Sequence, residues 1–131
     1  MKTNNEKKIL VVDDEPDLRD LYSQTFAKNG YEVKVAESAE KALEMFRMER
    51  YFVVFLDLNL PGMSGIDLCR RLKQESQMII PYAVTGYAAL YELTNCRDAG
   101  FEDYFTKPVR LSLLEQAADH AFRKLDRWKQ R

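Results

Sequence analysis

The chain has 131 residues, the length of one domain and enough to bury a core of its own. Its 20 Lys and Arg against 21 Asp and Glu leave a net charge of −1, so no general field draws nucleic acid or an anionic membrane. The longest apolar stretch, around residues 52–56, is far too short to cross a bilayer, and no hydrophobic segment of the signal-peptide kind follows Met1-Lys2-Thr3-Asn4-Asn5-Glu6. The expectation is a single cytoplasmic domain over residues 1–131, with its core at about 8–125, that binds neither nucleic acid directly nor membranes.

The hydrophobic pattern alternates regularly. Lys8 to Val12 reads as a strand, and Pro16 to Lys28 as a helix. Pro16 suits the first helical turn, and Leu18, Leu21, Tyr22, Thr25 and Phe26 form a stripe at helical spacing. Asn29-Gly30 stops that helix, and Tyr31 to Ala36 reads as the second strand. Ser38 caps a second helix with Ala39, Ala42, Leu43 and Phe46 on its buried face. The third strand is Phe52 to Leu56, and the Asn59–Gly65 loop leads into a helix with Leu68, Cys69 and Leu72 inward.

Pro81 opens the fourth strand, where a missing amide costs little. A fourth helix is expected from about Tyr87 to Ala99, ended by Gly100, followed by a short strand from Asp103 to Thr106. The last helix carries Leu114, Ala117, Ala118, Ala121, Phe122 and Leu125 on one face, with Trp128 placed in a frayed tail beyond it. Five such units with right-handed crossovers give an α/β fold, a doubly wound parallel sheet of five strands with five helices. No linker or further domain is expected after the last helix.

Polar residues at the ends of the apolar runs carry the chemistry. They are Asp13 and Asp14, Asp57, Thr85 and Lys107. Strands buried on both faces would bring them to one edge, because the carboxyl ends of a parallel sheet point the same way and ligands bind there. One Asp of the first pair has an ordinary use as a helix cap before Pro16. With Asp57 on a neighbouring strand end, however, three carboxylates repel one another unless a cation neutralises them. Oxygen donors without Cys or His select magnesium or manganese. Asp57 ends the most apolar strand and reads as a nucleophile able to carry a phosphoryl group as a mixed anhydride. Lys107 is placed as a charge partner for phosphoryl oxygens, Thr85 as a hydroxyl donor, and Gly86 leaves the approach open. His120, the single histidine, reads as a solvated helix residue, and Cys69 and Cys96 as packing residues.

Asp13-Asp14, the Asp57–Gly65 run, Thr85-Gly86, Tyr104 and Lys107-Pro108 together resemble the receiver domain of bacterial two-component response regulators, of the chemotaxis-regulator kind. The resemblance spans about Lys8 to Leu125 and implies a flavodoxin-like strand order, 2-1-3-4-5. It implies that Asp57 accepts a phosphoryl group from a sensor histidine kinase or a histidine phosphotransfer protein. Asp14 would ligate magnesium directly, Asp13 largely through water, and Asn59 through its backbone carbonyl. Thr85 and Lys107 would hold phosphoryl oxygens, Tyr104 would be the switch aromatic coupled to Thr85, and the Lys107-Pro108 bond would be cis. Asn59 and Tyr87 would tune the phosphoryl lifetime, and the face of the fourth helix, fifth strand and fifth helix would take a downstream protein partner.

Two other readings compete. The chain also fits an N-terminal receiver from a longer regulator with a DNA-binding or enzymatic output. A magnesium-dependent phosphohydrolase of the haloacid dehalogenase kind would share the aspartate nucleophile, but needs a second Asp two residues later, where this chain has Asn59.

Overall fold

Short runs of Val, Ile, Leu and Phe favour extended backbone because their side chains pack on both faces of a pleated surface. A computed structural model describes residues 7–86 and 90–129, and it resolves these runs into five strands alternating with five helices. The strands are β1 (Lys8–Val12), β2 (Glu32–Ala36), β3 (Val53–Leu56), β4 (Ile80–Thr85) and β5 (Asp103–Thr106). The helices are α1 (Pro16–Lys28), α2 (Ala39–Met48), α3 (Gly65–Glu75), α4 (Leu90–Ala99) and α5 (Leu111–Lys129). All neighbouring strands are parallel, in the order β2-β1-β3-β4-β5.

Successive residues of a strand point to opposite faces, which gives the sheet two cores. Leu10, Val12, Val54, Leu56 and Ala83 face α2, α3 and α4, where they meet Ala42, Leu43, Leu68, Leu72 and Cys96. Ile9, Val11, Phe55 and Val84 face α1 and α5, packing with Tyr22, Phe26, Leu114, Ala118 and Phe122. On this second side the Phe55 ring stacks on Tyr82 at 4.9 Å, and the Tyr82 hydroxyl donates to the Ala117 carbonyl at 3.1 Å. Burying a large apolar side chain is worth about 1.5–3 kcal/mol, so both layers contribute to holding the central strands.

Several expectations need correction. Leu21 is 42% exposed rather than part of the buried stripe of α1, because it lies on the outer edge of that helix. Strands are buried on both faces only in the middle of the sheet. β2 and β5 are edges with one neighbour each, and Val35 and Tyr104 are 41% and 40% exposed. Tyr31 and Phe52 lie one residue outside their strands. Trp128 is not in a frayed tail, since α5 runs through it to Lys129. The start expected for the fourth helix, Tyr87, lies outside the described residues.

The terminators behave as their chemistry dictates. Gly30 has φ +90° and donates to the Ala27 carbonyl at 3.0 Å, closing α1 in a conformation that a side chain disfavours. Ser38 and Ser64 cap α2 and α3 by accepting the amides of Lys41 and Asp67.

Candidate functional site

Backbone hydrogen bonding continues one residue past the strand ends and lines up the polar side chains. Asp13 donates its amide to the Ala36 carbonyl at 3.1 Å, and Asp57 donates to the Val12 carbonyl at 2.9 Å. On the other side Lys107 donates to the carbonyl of Thr85 at 2.8 Å. Asp13, Asp57 and Lys107 thus form the first row beyond the sheet, with Thr85 as the last, fully buried residue of β4.

The row is anchored from below. Leu58 and Leu60 are buried in the core and hold the loop after β3. Gly65 opens α3 with its amide 2.9 Å from the Leu58 carbonyl. A Cβ at Gly65 would fall on the Asp57 carbonyl oxygen and lie 2.7 Å from the Leu58 Cα, so only glycine lets the helix approach the end of β3 this closely.

Side chains then converge on one ammonium. Lys107 Nζ lies 2.9 Å from Asp57 Oδ2, 3.0 Å from Asp13 Oδ2 and 3.1 Å from Glu15 Oε2. The second oxygens of the two aspartates are held as well: Asp57 Oδ1 accepts the Asn59 amide at 3.0 Å, and Asp13 Oδ1 accepts the Glu15 amide at 2.9 Å. Arg19 donates to the Asp13 carbonyl at 2.8 Å. Burial disfavours the charge on Lys107, but the hydrogen bonds to Asp57, Asp13 and Glu15 outweigh it and raise its pKa. Burial pushes the Asp13 carboxyl above the usual aspartate value, with the Glu15 amide and Lys107 opposing.

Neither Asp of the pair caps α1. The capping position belongs to Glu15, whose side chain makes no capping bond, and Asp14 is exposed. Carboxylate oxygens of Asp13, Asp14, Glu15 and Asp57 all lie within 4.8 Å of one another. Four acids against one lysine leave a net negative pocket, and an all-oxygen donor set of this kind fits a hard divalent cation.

Asp13, Asp14, Asp57 and Lys107 are therefore brought together as the sequence suggested, and Asn59 adjoins them through its amide. Tyr104 lies apart from the cluster on β5, half exposed beside the groove formed with Leu93, Thr94 and Arg97 of α4. The Lys107-Pro108 bond is cis. Tyr87, expected to tune lifetime, lies outside the described residues. His120 is exposed on α5, and both cysteines are buried and unpaired with each other.

Sequence reasoning missed three neighbours of the site. Glu15 was given no role, although its place directly after Asp13-Asp14 was the available signal. Arg19 gave no signal. Tyr22 was assigned to the core and is 3% exposed, yet its hydroxyl senses the site: burial raises its pKa, Lys107 opposes, and Asp13, Glu15 and Asp57 add to the rise.

Known proteins resemble this chain in sequence and in fold. The response regulator receiver domain family matches residues 9–119. A cyclic di-GMP phosphodiesterase of Thermotoga maritima is 35% identical over 88% of this chain, which covers 31% of that protein. Sporulation initiation phosphotransferase F of Bacillus subtilis is 32% identical over 85% of this chain and 90% of its own length. A receiver domain protein of Methanospirillum hungatei has a solved structure with a TM-score of 0.86 and 30% identity, covering 92% of this chain and 98% of that one. The chain thus spans under a third of the phosphodiesterase but nearly all of the phosphotransferase. Among the described residues, no helix is long and apolar enough to cross a membrane. With acids and a lysine gathered at the carboxyl edge of a 2-1-3-4-5 sheet, the chain belongs to the receiver domains of two-component response regulators, which receive phosphoryl groups from histidine kinases.

Proposed function

We propose that residues 1–131 work as a single cytoplasmic receiver domain whose phosphoacceptor is Asp57. The observation that carries this reading is the buried Asp57 carboxylate, 4% exposed, held 2.9 Å from Lys107 in a pocket of excess negative charge. An Asp57 oxygen attacks the phosphorus of a phosphohistidine on a sensor kinase or phosphotransfer protein. The P–N bond breaks as the P–O bond forms, and the imidazole nitrogen leaves with the electron pair and takes a proton. Such a transfer needs positioning and charge neutralisation more than covalent help.

Asp13, Asp14, Asp57 and the Asn59 backbone carbonyl would hold magnesium, or manganese in its place. When bound, the ion neutralises charge between the Asp57 carboxylate and the incoming phosphoryl group. Lys107 supplies a point charge to one phosphoryl oxygen, and the Thr85 hydroxyl donates to another. Thr85, drawn toward that oxygen, leaves room for Tyr104 to turn inward, which changes the α4–β5–α5 face that a downstream protein reads. Asn59, whose amide bonds Asp57, and Tyr87 set the lifetime of the acyl phosphate. The chain catalyses its own phosphorylation and dephosphorylation and no other reaction.

Incubation with acetyl phosphate and magnesium, followed by intact mass measurement, tests the assignment. Wild type is expected to gain one phosphoryl group and Asp57→Asn none. Equal gain in the variant overturns the assignment of Asp57.

A further inference from the structure

An ammonium group has three N–H bonds, and among the described residues Lys107 has three carboxylates around it: it donates to Asp57 and Glu15 and pairs with Asp13 at 3.0 Å. A phosphoryl oxygen that is to reach Lys107 must therefore displace one of them. The three are unequal. Asp57 is the acceptor itself, and Asp13 is 1% exposed with its other oxygen fixed by the Glu15 amide. The Glu15 side chain is 58% exposed, so water solvates its carboxylate as it swings away, whereas either aspartate would leave a buried charge behind. The Glu15 backbone stays in place, held by Asp13 and by its carbonyl, which accepts from Arg19 at 3.1 Å.

Resting on the reading of Asp57 as phosphoacceptor, we propose that Glu15 is a displaceable positioning residue. It holds the third donor of Lys107 in the resting pocket and yields it to the entering phosphoryl oxygen. Glu15 stabilises the unmodified state through a contact that the modified state lacks, so it lowers the affinity of the pocket for a phosphoryl group. A solvated ion pair is weak, but Lys107 is 14% exposed and already fixed by two buried acids, so Glu15 orders only its own side chain. The expected effect of removing the contact is about a two- to fivefold gain in affinity, the scale of an exposed ion pair.

The experiment measures beryllofluoride affinity in saturating magnesium for wild type, Glu15→Gln and Glu15→Asp, together with magnesium affinity alone. Glu15→Asp keeps the charge but is one methylene too short to reach Lys107. Displacement predicts that both variants bind beryllofluoride about two- to fivefold more tightly, with a gain that shrinks as salt rises and with magnesium affinity nearly unchanged. If Glu15→Asp matches wild type while Glu15→Gln gains, the effect is general charge repulsion and the contact is irrelevant. No gain in either variant, or a tenfold or greater loss of magnesium affinity on Glu15→Gln, which would make Glu15 a metal ligand, also overturns the proposal. Failure of wild type to bind beryllofluoride at Asp57 would instead remove the reading of the site on which this one rests.

Discussion

Two lysines sit at opposite ends of the same sheet, equally buried, and have opposite company. Lys8 opens β1, is 12% exposed, and bonds Glu49 at 2.8 Å, while the Tyr51 hydroxyl donates to the other Glu49 oxygen at 2.9 Å. Its ring neighbour Tyr51 lies 5.6 Å from the ammonium. That cluster balances one positive charge with one negative and leaves nothing for a ligand to neutralise. Lys107 stands at the far edge among four acids, an excess of negative charge that folding alone does not require. An uncompensated charge held in a buried place is a mark of function; a balanced one is a mark of structure.

Removing each lysine breaks the comparison most directly. Lys107→Met leaves Asp13 and Asp57 facing each other, both nearly buried, and should cost about 3 kcal/mol in urea melts without divalent cation. Excess magnesium should recover much of that loss, because a cation can stand where the ammonium stood. A loss that magnesium does not touch would show that Lys107 acts through packing.

The wild type should respond in the same direction more modestly. Magnesium at a hundred times its dissociation constant is expected to add about 2.7 kcal/mol of stability. Asp14→Ala should lose most of that increment while gaining about 0.5 kcal/mol in metal-free melts, since one of the repelling carboxylates is gone. A metal-free loss would mean that Asp14 supports α1 after all.

The smallest effect is expected at the other end. Hydrogen bonds from Lys8 and then Tyr51 hold Glu49 below the usual carboxylate pKa. Such a group adds stability above its unfolded pKa and loses it as pH falls through its folded value. Lys8→Met should therefore be slightly less stable at neutral pH, approach wild type in acid, and ignore magnesium. A magnesium response in this variant would erase the distinction between the two ends.

Much of the functional edge was legible because it obeys strand chemistry. Asp13, Asp57 and Lys107 each follow an apolar run, and the parallel order carries them to one side. Glu15 was harder to read, because it follows no apolar run directly and its partner, 92 residues away, reaches it across the ends of β3 and β4. Neither propensity nor periodicity encodes that reach. The exposure of Val35 and Tyr104 was hidden for a related reason: an edge strand has the same composition as a central one, and only the strand order tells which runs lack a neighbour.

The absent side chain at Gly65 has a mechanical consequence. It seats α3 directly against the backbone of Asp57, and β3 is bonded to strands on both flanks, so this carboxylate stands on a stiff footing. β5 has one bonded flank and an open one. Asp57 therefore rests on the middle of the sheet and on α3 together, while the give in the scaffold lies at its two edges, β2 and β5, each with one open flank.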